Sequence, residues 1–138
     1  VRPVQQLVTV NVLSPDHGAA RLVVWIRHDP GDPLAVRLDF APAEGPDEGG
    51  AATWVFARSL LEDGVVRTVG EGDVRVRPGD AGETHIELAS LYGSCVVRFR
   101  TDTLCSFLSL TQTRPYDVSL RIRTELDRTL NAILGRRD

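Results

Sequence analysis

Three histidines (His17, His28, His85) and two cysteines (Cys95, Cys105) are the residues whose types could carry proton transfer, nucleophilic attack or metal binding. His28 is followed by Asp29, and a carboxylate can orient an imidazole for general base work. Neighbouring residues on a strand point to opposite faces, so this pair cooperates only across a sharp bend. A surface histidine at a strand end is the simpler expectation for His28. Neither cysteine has a second ligand two to four residues away, which excludes a zinc knuckle. Cys95 falls on an expected strand and Cys105 on the apolar side of an expected helix, where free thiols act as small hydrophobes. Gly70-Glu71-Gly72-Asp73 has glycines like a phosphate loop, yet it lacks the third and runs into a strand where such a loop would open a helix. A hairpin with positive φ accounts for it better. The acids Asp29, Asp32, Asp47 and Glu48 lack the ligand spacing of a calcium loop. These residues predict no enzyme, no metal and no cofactor.

The elements that would position any site follow from periodicity. The chain has 138 residues, 42% of them hydrophobic and 25% charged, with a net charge of −3. That length predicts a single domain over 1–138, with roughly two-thirds of its unfolded surface buried. All sixteen basic residues are arginine. A slightly acidic chain offers no broad attraction for phosphate backbones. Two cysteines predict reduced thiols in a cytoplasmic protein, and no apolar run is long enough to span a bilayer.

Val4 to Leu13 alternates and predicts a strand ending at the Ser14-Pro15-Asp16-His17-Gly18 turn. Arg21 to Arg27 is a continuous β-branched run and predicts a strand buried on both faces. Asp29-Pro30-Gly31-Asp32-Pro33 breaks it, and Leu34 to Phe40 alternates as a half-exposed strand. Residues 41–51, rich in Pro, Gly and acid, predict a surface loop. Thr53 to Ala57 predicts a strand, and Ser59 to Asp63 a short helix ended by Gly64. Further strands are expected at Val65 to Val69, Asp73 to Arg77, Thr84 to Leu91 and Ser94 to Arg100. Leu104, Phe107, Leu108 and Thr111 share a helical face, with Thr101 or Asp102 as cap. A closing helix is expected from about residue 122 to 134.

The order is four strands and a helix, then four strands and two helices, an α+β pattern. Two packed antiparallel β-sheets with helices closing one end would bury the alternating faces. Arg75, Arg77, Arg98 and Arg100 recur at period two and could line one sheet face for single-stranded nucleic acid. Such binding also needs aromatic platforms, and Trp25, Trp54, Phe56, Phe99 and Phe107 all read as core. Nucleic acid therefore ranks below protein as a partner.

Trp54-Val55-Phe56-Ala57-Arg58-Ser59-Leu60-Leu61 and Gly72-Asp73-Val74-Arg75-Val76 closely resemble the signature of the SsgA-like sporulation and cell division proteins of actinomycetes, SsgB type. Arg27 to Val36, and Thr124-Glu125-Leu126 with Ile133-Leu134, extend the likeness over most of the chain. The resemblance implies a ββββα-ββββαα order with two packed sheets, similar to the Whirly single-strand-binding proteins. It also implies a non-enzymatic regulator of sporulation-specific division that helps place the septum and recruit FtsZ. Homotrimers, contacts with other SsgA-like proteins, and recruitment from the cytoplasm to the division septum come with it. No family motif supplies a catalytic residue. The candidate partner surfaces are the turn from Asp29 to Leu34 (Asp29, Asp32, Leu34) and the connection from Thr111 to Val118 (Arg114, Tyr116).

Overall fold

The computed structural model describes residues 2–16, 18–40, 52–91 and 93–111. The elements run β1 (Val4–Ser14), β2 (Gly18–His28), β3 (Ala35–Phe40), β4 (Thr53–Ala57), α1 (Arg58–Gly64), β5 (Val69–Glu71), β6 (Val74–Pro78), β7 (Glu83–Ser90), β8 (Gly93–Arg100) and α2 (Thr101–Thr111). The expected order of four strands and a helix, twice, is present. The expected last helix, residues 122–134, lies outside the described residues, as does the 41–51 loop.

The two sheets expected from the alternation are one. Each half of the chain is an antiparallel meander, and β1 pairs with β8 through Asn11↔Arg98, Val12↔Val97 and Leu13↔Val96. The result is a single eight-stranded sheet in the order β4-β3-β2-β1-β8-β7-β6-β5. The alternating strands correctly demanded one covered face, but helices supply the second layer instead of another sheet. α1 packs on β4, β5 and β6, and α2 on β1 and β8. The sheet curls far enough for the strands near both its ends to reach α1. The core lies in that curl, where Val24, Ile26, Val36, Leu38, Val76, Ile86, Val97 and Phe99 meet Leu60, Leu61, Leu104 and Phe107.

One covered face also explains β2, which the sequence predicted to be buried on both sides. Val24, Ile26 and His28 point inward, while Val23, Trp25 and Arg27 alternate outward. Trp25 is therefore half-exposed, and the Arg27 guanidinium lies 4.9 Å from its ring centroid. His28, expected at the surface, is only 6% exposed because it shares the inward parity of Val24 and Ile26.

Two local expectations also fail. Val65 to Arg67 does not extend into a strand, because the Asp63 carbonyl accepts from both Val66 N (3.1 Å) and Arg67 N (3.0 Å) and winds the chain on past α1. The strand starts only at Val69 and reverses at Gly72, whose φ of +62° is costly for any residue with a Cβ. Cys105 is exposed, since the buried stripe of α2 is Leu104, Phe107 and Leu108. One residue further along a helix turns about 100° away from that stripe. Gly64 closes α1 for a packing reason: a Cβ built there would land inside the Val76 side chain, so the glycine lets helix and sheet touch.

Candidate partner-binding surfaces

The Asp29–Leu34 connection is held by its own hydrogen bonds. Asp32 N donates to Asp29 O at 2.9 Å, and Ala35 N to Asp32 O at 3.2 Å, making two successive turns. Gly31 N donates to the Asp29 carboxylate at 2.9 Å, the side-chain turn favoured by Asp. Nε2 of His28 donates to Pro33 O at 2.9 Å, and Arg58 N to Leu34 O at 2.7 Å. His28 thus staples the turn from beneath and does not pair with Asp29, as the opposite parity of the two residues required. The turn presents Leu34, 62% exposed, on a fixed backbone.

Beside it, a groove of about 380 Å³ is lined by Asp29 and Asp32 on the turn and by Gln5, Arg27, Arg37 and Val55 on the sheet. Those last four residues form one cross-strand row, since Gln5 pairs with Arg27, Arg27 with Arg37, and Arg37 with Val55. Asp39 ties the row together. Its carboxylate accepts from Arg27 Nε (2.8 Å), Arg37 Nε (2.9 Å) and Thr53 Oγ1 (2.7 Å), and Arg27 also bonds Gln5. Partial burial pushes the Asp39 carboxyl up, but the Thr53 and Arg37 hydrogen bonds and the two guanidiniums outweigh it and hold it below the ordinary carboxylate range. The site is therefore charged and preorganised, with both signs present. It presents fixed charges of both signs, and among the described residues it places no nucleophile with a base beside it.

The arginine face lies on β6 and β8. Arg75, Arg77, Arg98 and Arg100 do share one side of the sheet, because β7 registers Glu87 with Arg75, His85 with Arg77 and Arg98, and Glu83 with Arg100. That side is not a bare cationic strip. Arg77 Nε bonds Glu87 at 2.8 Å, and Arg98 Nη2 bonds Glu83 at 2.8 Å. Arg77 also donates to His85 Nδ1 at 3.0 Å, which leaves the His85 proton on Nε2, facing Glu83 at 3.4 Å. The Arg98 and His85 bonds hold the Glu83 carboxyl below its ordinary range. The aromatic rings expected in the core are inside for Phe56, Phe99 and Phe107, while Trp54 is half-buried against the core edge.

A family profile described as "Streptomyces sporulation and cell division protein, SsgA" matches residues 22–114. The chain belongs to the SsgA family. It is 37% identical over 110 residues to the sporulation-specific cell division protein SsgB of Saccharopolyspora erythraea, covering 78% of this chain and 72% of that one. SsgB of Streptomyces coelicolor is 36% identical over 113 residues, 80% of each chain. A solved SsgA-like sporulation-specific cell division protein from Thermobifida fusca superposes with a TM-score of 0.70 at 29% identity, covering 93% and 96% of the two chains.

Within this SsgA-family fold the signature segment is mostly structural. Phe56, Leu60 and Leu61 are buried, and Arg58 is buried with them. Of the five candidate partner residues, Asp29 and Asp32 line the groove and Leu34 caps the turn beside it. Arg114 and Tyr116 lie outside the described residues. Sequence reasoning missed the Arg27–Asp39–Arg37 cluster. Alternation already placed Arg37 and Asp39 on one face, but only the register of β2 on β3 brings Arg27 to them. Among the described residues no group of three or more His, Cys, Asp or Glu could hold a metal ion, and no helix is long and apolar enough to cross a membrane.

Proposed function

We propose that this SsgA-family protein acts in sporulation-specific septation as a non-enzymatic adaptor. It helps position the septum and recruit FtsZ, working as a homo-oligomer, trimeric by family resemblance, together with other SsgA-like proteins. The observation that carries the reading is the Asp29–Leu34 turn: an exposed leucine on a doubly hydrogen-bonded backbone, beside a groove of fixed charges. Interfaces commonly centre on such an apolar anchor with a polar rim. Family membership supplies the process, and the absence of a catalytic constellation among the described residues is compatible with it. Single-stranded nucleic acid has less support, because Arg77 and Arg98 are already committed to Glu87 and Glu83.

The test is anisotropy titration of labelled FtsZ with the wild-type chain and with Leu34→Ala and Asp32→Ala. Both residues are exposed, so folding stability should stay within about 0.5 kcal/mol of wild type. The expected result is about a tenfold loss of affinity for Leu34→Ala, equivalent to about 1.4 kcal/mol. Unchanged affinity in both variants would remove this turn from the FtsZ interface.

A further inference from the structure

The sheet has two ends, and they are treated differently. β5 ends it with three residues, Val69–Glu71, too short to template much. β4 ends it with Thr53-Trp54-Val55-Phe56-Ala57, which contains no charge and no proline. Natural edge strands are usually blunted by charge, proline or a bulge, because open amides recruit other strands. The phase of the ladder shows which groups are open. Phe40 N bonds Ala52 O at 2.9 Å, and Arg58 N bonds Leu34 O at 2.7 Å. In an antiparallel pair the bonded residues alternate, so Ala52, Trp54, Phe56 and Arg58 turn their backbone toward β3. Thr53, Val55 and Ala57 turn theirs to the other side, where no strand pairs with β4 among the described residues.

That side opens on a cleft of about 240 Å³ between β4 and the β5–β6 hairpin. Its apolar lining is Trp54, Phe56 and Leu60 on one side and Val74 on the other. Glu71 and Asp73 stand on the hairpin wall, and neither forms an ion pair among the described residues. Val55, 60% exposed, marks the outer lip.

We propose that the β4 edge and this cleft bind an extended segment of a partner protein in which apolar residues alternate with arginine or lysine. Backbone bonds to Thr53, Val55 and Ala57 supply the strand pairing, apolar side chains enter over Trp54, Phe56 and Leu60, and the cations meet Glu71 and Asp73. Strand addition of this kind takes affinity from the main chain and selectivity from alternate side chains. Charge complementarity selects this occupant over a second copy. Two β4 edges paired about a twofold axis would bring two Glu71–Asp73 walls into one interface. This site shares Val55 with the groove beside the Asp29–Leu34 turn but none of Asp29, Asp32 and Leu34, so it stands whether or not that turn binds FtsZ.

The experiment is amide hydrogen exchange by NMR on the full chain, with and without a synthetic octapeptide of alternating arginine and valine. Binding should slow exchange at Thr53, Val55 and Ala57 at least tenfold, while Trp54 and Phe56 are already protected by β3. A glutamate-for-arginine peptide should bind at least tenfold more weakly. Val55→Pro removes an outward N–H without costing a ladder bond, and Glu71→Lys with Asp73→Lys reverses the wall; each should weaken binding about tenfold. If Val55→Pro fails to fold, the charge reversal decides. Binding without protection at the three alternate amides would overturn the proposal, as would equal binding of the glutamate peptide. Protection of these amides before any peptide is added would show the edge already covered by this chain, or, if it rises with protein concentration, by a second copy. Either result also overturns it.

Discussion

Replacing Arg58 by alanine should cost about 3–5 kcal/mol of folding stability, the usual penalty for breaking a buried ion pair from one side. Arg58 is 4% exposed at the start of α1, and its guanidinium reaches into both helices. Nη1 pairs with Glu62 at 2.8 Å, Nε donates to Thr111 Oγ1 at 2.8 Å, and Nη2 donates to Leu108 O at 3.3 Å. The side chain therefore bolts α1 to the C-terminal turn of α2. Without it, Glu62 loses this ion pair in a mostly covered position and a helix-end carbonyl loses a donor. Lysine keeps the charge but not the planar fork, so Arg58→Lys should recover only part of the loss. Urea unfolding of the two variants checks this. A midpoint for Arg58→Ala within 1 kcal/mol of wild type would mean the pair is dispensable.

Phe107→Ala should cost a similar amount, about 3–5 kcal/mol, by emptying a fully enclosed ring site between α2 and the sheet. The companion variant Cys105→Ala, outside the buried stripe of the same helix, should change stability by less than about 0.5 kcal/mol. The contrast matters because the apolar stripe alone placed Cys105 with the core. Thermal and urea unfolding of both variants separate the two placements of the helix face. Comparable losses for both would mean the helix is rotated relative to the structure.

Much of this fold was legible because local signals agreed with the tertiary result. Leu34 to Phe40 alternates cleanly, and the structure buries Val36, Leu38 and Phe40 while turning Arg37 outward. The glycines at 64 and 72 mark where α1 ends and where β5 turns into β6. What failed was long-range. Whether two four-stranded meanders stack or join depends on three pairs between β1 and β8, and no residue in Asn11 to Leu13 announces its partner. The apolar run of β2 looked doubly buried because β-branched residues serve an exposed strand face as well as a buried one. At the candidate surface, the Asp-Pro-Gly-Asp-Pro turn was legible from composition alone. The Arg27–Asp39–Arg37 cluster was not, since it spans two strands and exists only at their register. Arg58 reads as a helix opener, and its burial reflects Glu62, Thr111 and Leu108 converging on it from two helices.

The placement of the two helices has a consequence for how the molecule comes apart. α2 sits on β1 and β8, across the junction of the two meanders, and α1 sits on β4, β5 and β6, across the gap between the outer ends. Neither meander closes its own interior; each needs the helix that also serves the other. The three-pair join between β1 and β8 is consequently not a line of weakness along which one half can melt while the other persists. The protein should unfold as one cooperative unit, with the slowest-exchanging amides of β2 and β7 reporting the same opening free energy in native-state hydrogen exchange. Two separate values would mean the halves are independent. A cut between them should leave two unfolded pieces, so the chain's repeated pattern of elements is not a pair of modules.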